Sequence, residues 1–185
     1  MNLPIYYCEI NDYEDGIGCL SLVEHPATDS LFMCFNKHIN FSIDDEDKRI
    51  ISGVIMEPDK PIYRNDNGRE YYVMFTADTI RKMVEKFFVD GVNNTVDIEH
   101  SRSLIDGIHL IEMFIKDSSK GINPNYIDCA DGSLIGTYKV LDDKLWQEIK
   151  SGTFRGFSLS GKFSLREKNE YEDILEMLTK LRNVK

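Results

Sequence analysis

FRGFSLSGKF, residues 154–163, alternates apolar and polar positions and carries a glycine on either side of two serines. A period of two belongs to a β-strand. It places Phe157, Leu159, Gly161, Phe163 and Leu165 on one face and Ser158, Ser160, Lys162 and Ser164 on the other. The plain reading is a half-exposed amphipathic strand with its polar side in water. The sharper reading is that one serine performs chemistry, between glycines that let a ligand approach the backbone.

Working outward, short β-rich runs bounded by turn residues predict strands at 3–10, 17–23, 31–35, 49–56, 69–76, 95–100, 107–116 and 133–140. EPDKP at 57–61 breaks the run before it, because proline cannot donate to a ladder. SIDDEDKR at 42–49 reads as a solvated charge run, and 117–133 as a long exposed loop.

Two helices carry clear stop and start signals. In 76–91, Ile80, Met83, Val84, Phe87 and Phe88 follow the helical stripe, with Thr76 as N-cap and Gly91 at the stop. In 142–152, Asp142 caps and Leu145, Trp146 and Ile149 form the buried side. A third, charged helix near the C-terminus has Ile174, Leu175, Leu178 and Leu181 on one stripe. No βαβ rhythm runs through the chain. The fold class is therefore α+β, a mostly antiparallel sheet or β-barrel with peripheral helices. The expected division is a β-barrel domain at 1–166 and an amphipathic helix or arm at 167–185.

The 185 residues suit one domain, and 42% hydrophobic content is enough for a real core. A formal net charge of −10 repels phosphate backbones, so no nucleic-acid partner is expected. No apolar run approaches the length of a membrane span, so no membrane partner is expected either. The N-terminus has neither the basic lead nor the apolar stretch of a signal peptide. Cys8, Cys19, Cys34 and Cys129 form no CxxC pair, which points to a reducing compartment without disulfides or zinc.

Among the histidines, His38 sits in a polar linker, His25 precedes a proline and His109 lies in an apolar strand. His100 ends TVDIEH at a strand-to-loop transition, where side chains often line clefts. There it is placed to take a proton from a serine hydroxyl, which is a weak nucleophile until a base is adjacent. A metal site from Asp97, Glu99, His100, His109 and Glu112 is weakly supported. If 95–100 is extended, Asp97 and Glu99 point away from His100, and no HxxxH or HExxH spacing exists. The same alternation keeps either acid from orienting the imidazole.

Several stretches occur in an order that resembles the XkdF-like phage serine proteases. They are GCLSLVEHPA, KPIYRNDNGREYYVMFTADTIRKMVEKFF, NTVDIEHS, DGIHLIEMFIKD and LWQEIKSGTFRGFSLSG. That family is grouped with phage prohead (capsid maturation) proteases, whose fold is similar to herpesvirus assemblin, a β-barrel ringed by helices. The resemblance implies a serine endopeptidase without cofactor or metal. It would cleave scaffold and major capsid proteins inside the procapsid, in the host cytoplasm, and self-association into a homo-oligomer is compatible with it. The family's histidine lands on His100 and its nucleophile on Ser158, with Ser160 the lesser choice. In longer prohead proteases a strand of the form Glu-Val-Ser-Leu-Val follows the serine strand. Here the similar CLSLV comes first, which implies a circular permutation, and Cys19 stands where the glutamate would be. The third catalytic member is left open between Glu24, His25 and a bare Ser–His pair. The other function class is a catalytically inactive head component on the same fold.

Overall fold

The computed structural model describes residues 3–24, 48–92 and 95–169, the backbone of 33–34, and residues 171, 172, 174, 178, 181 and 182. The chain is mixed α+β and strand-rich, and its described strands form three sheets. The first contains β1 (Ile5–Glu9), β5 (Ile62–Asp66), β6 (Arg69–Met74) and β11 (Ser164–Glu167) in the order β11-β1-β6-β5. The second, which carries the site, contains β2 (Gly16–Val23), β7 (Val96–Ile98) and β10 (Gly156–Lys162) in the order β10-β2-β7. The third contains β3 (Met33–Cys34), β4 (Ile50–Met56), β8 (Ile108–Ile115) and β9 (Leu134–Val140) in the order β3-β4-β9-β8.

These sheets are open, which corrects the expectation of a closed barrel. β10 packs beside β4 but forms no ladder with it, so the second and third sheets meet through side chains. Most pairings are antiparallel, as the patterning predicts, while β1–β6 and β2–β7 are parallel.

The run from Phe154 to Leu165 is not one strand. A bulge between Ser160 and Gly161 interrupts the β10–β2 ladder, and past Phe163 the chain leaves for β1 as β11. Gly161 is required at that bend: a Cβ there would sit 2.3 Å from the Gly16 carbonyl oxygen. An additional hairpin, β5–β6, turns at Asn67 and Gly68, whose φ of 52° and 89° are those of a primed turn.

Helix α1 (Ala77–Val89) begins at Thr76, whose hydroxyl accepts the Thr79 N–H at 3.1 Å. Helix α2 (Asp143–Ser151) begins at Asp142, whose carboxylate accepts the Leu145 N–H at 2.7 Å, and ends on left-handed Gly152. Such caps contribute about 1 kcal/mol each.

The core forms where the inner face of the site sheet meets the third sheet and α1. Leu20, Leu22 and Phe157 are buried there with Ile51, Ile55, Ile80, Met83, Phe87 and Tyr138. Phe157 lies 4.8 Å from the Tyr138 ring. The Leu, Ile, Met and Phe side chains among these each stabilise the fold by about 1.5–3 kcal/mol through burial, so the strands bearing the serines are pinned from below. Beyond β11, the helical residues Ile174, Leu178 and Leu181 are exposed, while Leu175 lies outside the described residues.

Candidate active site

Ser158 and Ser160 stand on the outer face of β10, opposite the core face of Phe157 and Leu159. Their register partners on β2 are Ser21 and Cys19. Ser21 is in turn the register partner of Asp97 on β7. Three adjacent strands therefore present Ser158, Ser21 and Asp97 in one row.

β7 ends at Ile98, two residues short of the predicted strand, because Glu99 and His100 adopt left-handed backbone with φ of 52° and 55°. Arg102 does the same at 62°. Left-handed conformations cost non-glycine residues about 1–2 kcal/mol each, so something must hold them. Asp97 Oδ2 accepts the Arg102 N–H at 2.8 Å, and the Glu99 carboxylate accepts the Glu24 N–H at 2.5 Å. The Glu99 N–H donates to the Leu22 carbonyl, and the Ser101 N–H to the Ile98 carbonyl. This tight turn swings His100 back over the row of serines. Strained backbone of this kind clusters at functional sites.

The imidazole reaches three hydroxyls. Its Nε2 lies 3.1 Å from Ser158 Oγ. Its Nδ1 lies 2.9 Å from Ser21 Oγ and 2.7 Å from Ser160 Oγ. The ring is exposed, Ser160 is half-buried, Ser158 is 7% exposed and Ser21 is fully buried. His100 and Ser158, fifty-eight residues apart, thus sit within hydrogen-bond reach of each other.

Beside them opens a cleft of about 720 Å³. Val73, Phe75, Leu159, Phe163 and Leu165 give it apolar walls, and His100 and Ser160 lie at one side. Arg64 and Arg102 also line it, and neither guanidinium has a carboxylate partner among the described residues. Cys8 lines it too, but burial pushes its thiol up to about 12, so it stays protonated.

Cys19 lines the same cleft as His100, but its thiol is turned to backbone carbonyls and not to the ring. Its thiol hydrogen-bonds the Leu20 and Thr95 carbonyls. Burial pushes that thiol's pKa up, and the Asp97 charge adds to the effect. Glu24 donates its backbone N–H to the Glu99 carboxylate, and His25 and His38 lie outside the described residues. The group that faces Nδ1 from within the protein is Ser21, which period-two spacing in CLSLV places on the same face as Cys19. His109 and Glu112 belong to β8 in another sheet. Among the described residues, no cluster of His, Cys, Asp or Glu could hold a metal ion.

Residues 38–167 match the family model described as "Putative phage serine protease XkdF". The chain belongs to this family. One similar protein is the phage-like element PBSX protein XkdF of Bacillus subtilis (strain 168), 24% identical over 127 residues. That alignment takes in 69% of this chain and 42% of the relative, so the chain spans well under two thirds of the XkdF protein's length. No solved structure matches.

Proposed function

We propose that this XkdF-family chain is a serine endopeptidase of phage head maturation. Ser158 Oγ attacks the scissile carbonyl while His100 Nε2 takes the hydroxyl proton. The imidazolium returns that proton to the departing amine, leaving an acyl group on Ser158. Water, deprotonated by the same nitrogen, then releases the acid. The observation that carries this reading is the 3.1 Å approach of Nε2 to Ser158 Oγ beside an open cleft.

The substrates are scaffold and major capsid proteins, met inside the procapsid in the host cytoplasm, and no cofactor takes part. The apolar walls suit a large aliphatic or aromatic side chain of the substrate, and Arg64 and Arg102 suit a nearby carboxylate. The test is a purified cleavage assay on the scaffold protein. Ser158→Ala abolishes cleavage while the protein stays folded, and undiminished cleavage by that variant overturns the assignment.

A second reading rests on a specific observation. Ser158 is 7% exposed, whereas Ser160 lines the cleft with its Oγ 2.7 Å from Nδ1. In the opposite tautomer, with the proton on Nε2, Ser160 is the activated hydroxyl. Fluorophosphonate labelling separates these readings by the serine it modifies. A folded protein labelled at neither serine is the inactive head component.

A further inference from the structure

The histidine tautomer decides which serine is activated, and the site contains a group able to set it. A neutral imidazole has one N–H and one bare nitrogen. For Ser158 to lose its proton to Nε2, Nδ1 must carry the hydrogen and donate it. Ser21 is the enclosed partner for that donation, but a hydroxyl can equally donate to Nδ1 and force the opposite tautomer. What matters is where the Ser21 proton points.

Ser21 has no second partner among the described residues. On the neighbouring strand, Asp97 is 1% exposed, and its Oδ1 is buried with no hydrogen-bond donor. Leaving a buried carboxylate oxygen unpaired is costly. Ser21 and Asp97 are register partners across β2–β7, on the face that carries His100. The two side chains are not hydrogen-bonded in the structure, but adjacent strands lie about 4.8 Å apart, and a rotation of the Asp97 carboxylate closes that gap while Ser21 Oγ stays on Nδ1. Asp97 Oδ2 already accepts the Arg102 N–H, and Oδ1 is the oxygen left without a donor.

We propose that Asp97 is a positioning residue that acts through Ser21 to fix the tautomer of His100 and so selects Ser158 as nucleophile. The Asp97 carboxylate takes the Ser21 hydroxyl proton as a hydrogen bond. Ser21 Oγ, its proton committed, accepts from His100 Nδ1–H. Nε2 is left bare toward Ser158. The chain Asp97–Ser21–His100–Ser158 places one hydroxyl between acid and imidazole, where Ser-His-Asp enzymes have direct contact. The serine transmits the orientation, while the negative charge stays one residue further from the imidazolium.

This inference rests on the proposed protease chemistry for its purpose, but its test does not. Histidine 15N resonances are recorded in the intact protein at a pH where the spectrum shows neutral rings, with His100 assigned by loss of its signals in His100→Gln. The wild type shows a proton on Nδ1 and a bare Nε2. Asp97→Asn keeps an oxygen for the Arg102 N–H but turns an amide N–H toward Ser21, so the proton moves to Nε2. Fluorophosphonate labelling of Ser158 then falls about tenfold or more, on the scale of tautomer-disrupting triad changes, and any residual label shifts to Ser160. Ser21→Ala loses the tautomer preference and Ser21→Thr restores it.

A wild-type proton on Nε2 overturns the proposal, as does an unchanged Nδ1–H preference in folded Asp97→Asn. If Asp97→Asn does not fold, Ser21→Ala decides: retention of the wild-type tautomer there also overturns it. Failure of the protease reading shows separately, as absence of labelling at either serine in a protein whose His100 tautomer is still read.

Discussion

Ser158 and Ser21 are register partners across the β10–β2 ladder, and one imidazole bridges them. His100 lies 3.1 Å from Ser158 Oγ through Nε2 and 2.9 Å from Ser21 Oγ through Nδ1. Nε2 meets β10, and Nδ1 meets β2 and, through Ser160, β10 as well. A one-residue slip of β10 against β2 would turn Ser158 into the core, so the packing that fixes register also fixes the site.

The bulge at Gly161 is part of that register. A methyl group there meets the Gly16 carbonyl oxygen at 2.3 Å and the Phe163 ring at 2.9 Å. Gly161→Ala is therefore expected to destabilise the fold by about 1–3 kcal/mol, as overpacking does. Chemical denaturation measures it, and a neutral result would show that β2 and β10 can separate at no cost.

Phe157 anchors the same strand from below, 1% exposed and against Tyr138. Phe157→Ala should cost about 3–5 kcal/mol. In the fraction that stays folded, serine labelling should also slow, because β10 loses the contact that sets its height under His100. Stability and labelling changing independently would contradict this coupling.

Acid sensitivity has an identifiable source in Asp15. Burial raises its pKa, yet hydrogen bonds from the Asn11 and Asp12 N–H groups and the Ser164 hydroxyl more than offset this, and its carboxyl ends below the ordinary aspartate range. A depressed carboxylate adds stability above its unfolded value and loses it as the pH falls through the folded one. These bonds tie the turn before β2 to β11. Asp15→Asn should lower stability at neutral pH by about 2 kcal/mol and flatten the acid limb of the stability profile. A parallel acid limb in the variant would place the sensitivity elsewhere.

The cations of the cleft predict a charge preference. Reversing Arg64 to Glu should weaken scaffold cleavage about tenfold, mostly through KM, and added salt should narrow the gap between variant and wild type. An unchanged KM would remove Arg64 from substrate binding.

Local patterns in the sequence carried much of this fold. The alternation at 154–160, the stripe of Ile80, Met83 and Phe87, and the caps Thr76 and Asp142 depend on neighbours in the chain, so they are legible there. The Asn67–Gly68 turn is an equally local signal for the β5–β6 hairpin. The curl at Glu99 and His100 is not local. Asp97 holds the Arg102 N–H within the turn, but Glu99 is held at both ends by β2, its N–H on the Leu22 carbonyl and its carboxylate on the Glu24 N–H, bonds that form only once β2 and β7 pair in parallel. The same pairing decides that Ser21, rather than Cys19 two residues earlier, meets Nδ1. Extended geometry through residue 100 turns Asp97 away from the histidine, and the left-handed turn brings the two onto one face.

The most direct test is to treat the folded protein with a fluorophosphonate and map the adduct by mass spectrometry, in the wild type and in His100→Ala. A single adduct on Ser158, lost when the imidazole is removed, is the predicted result. An adduct on Ser160, or none on a protein shown to be folded, would contradict the assignment of Ser158 and His100 as the hydrolytic pair.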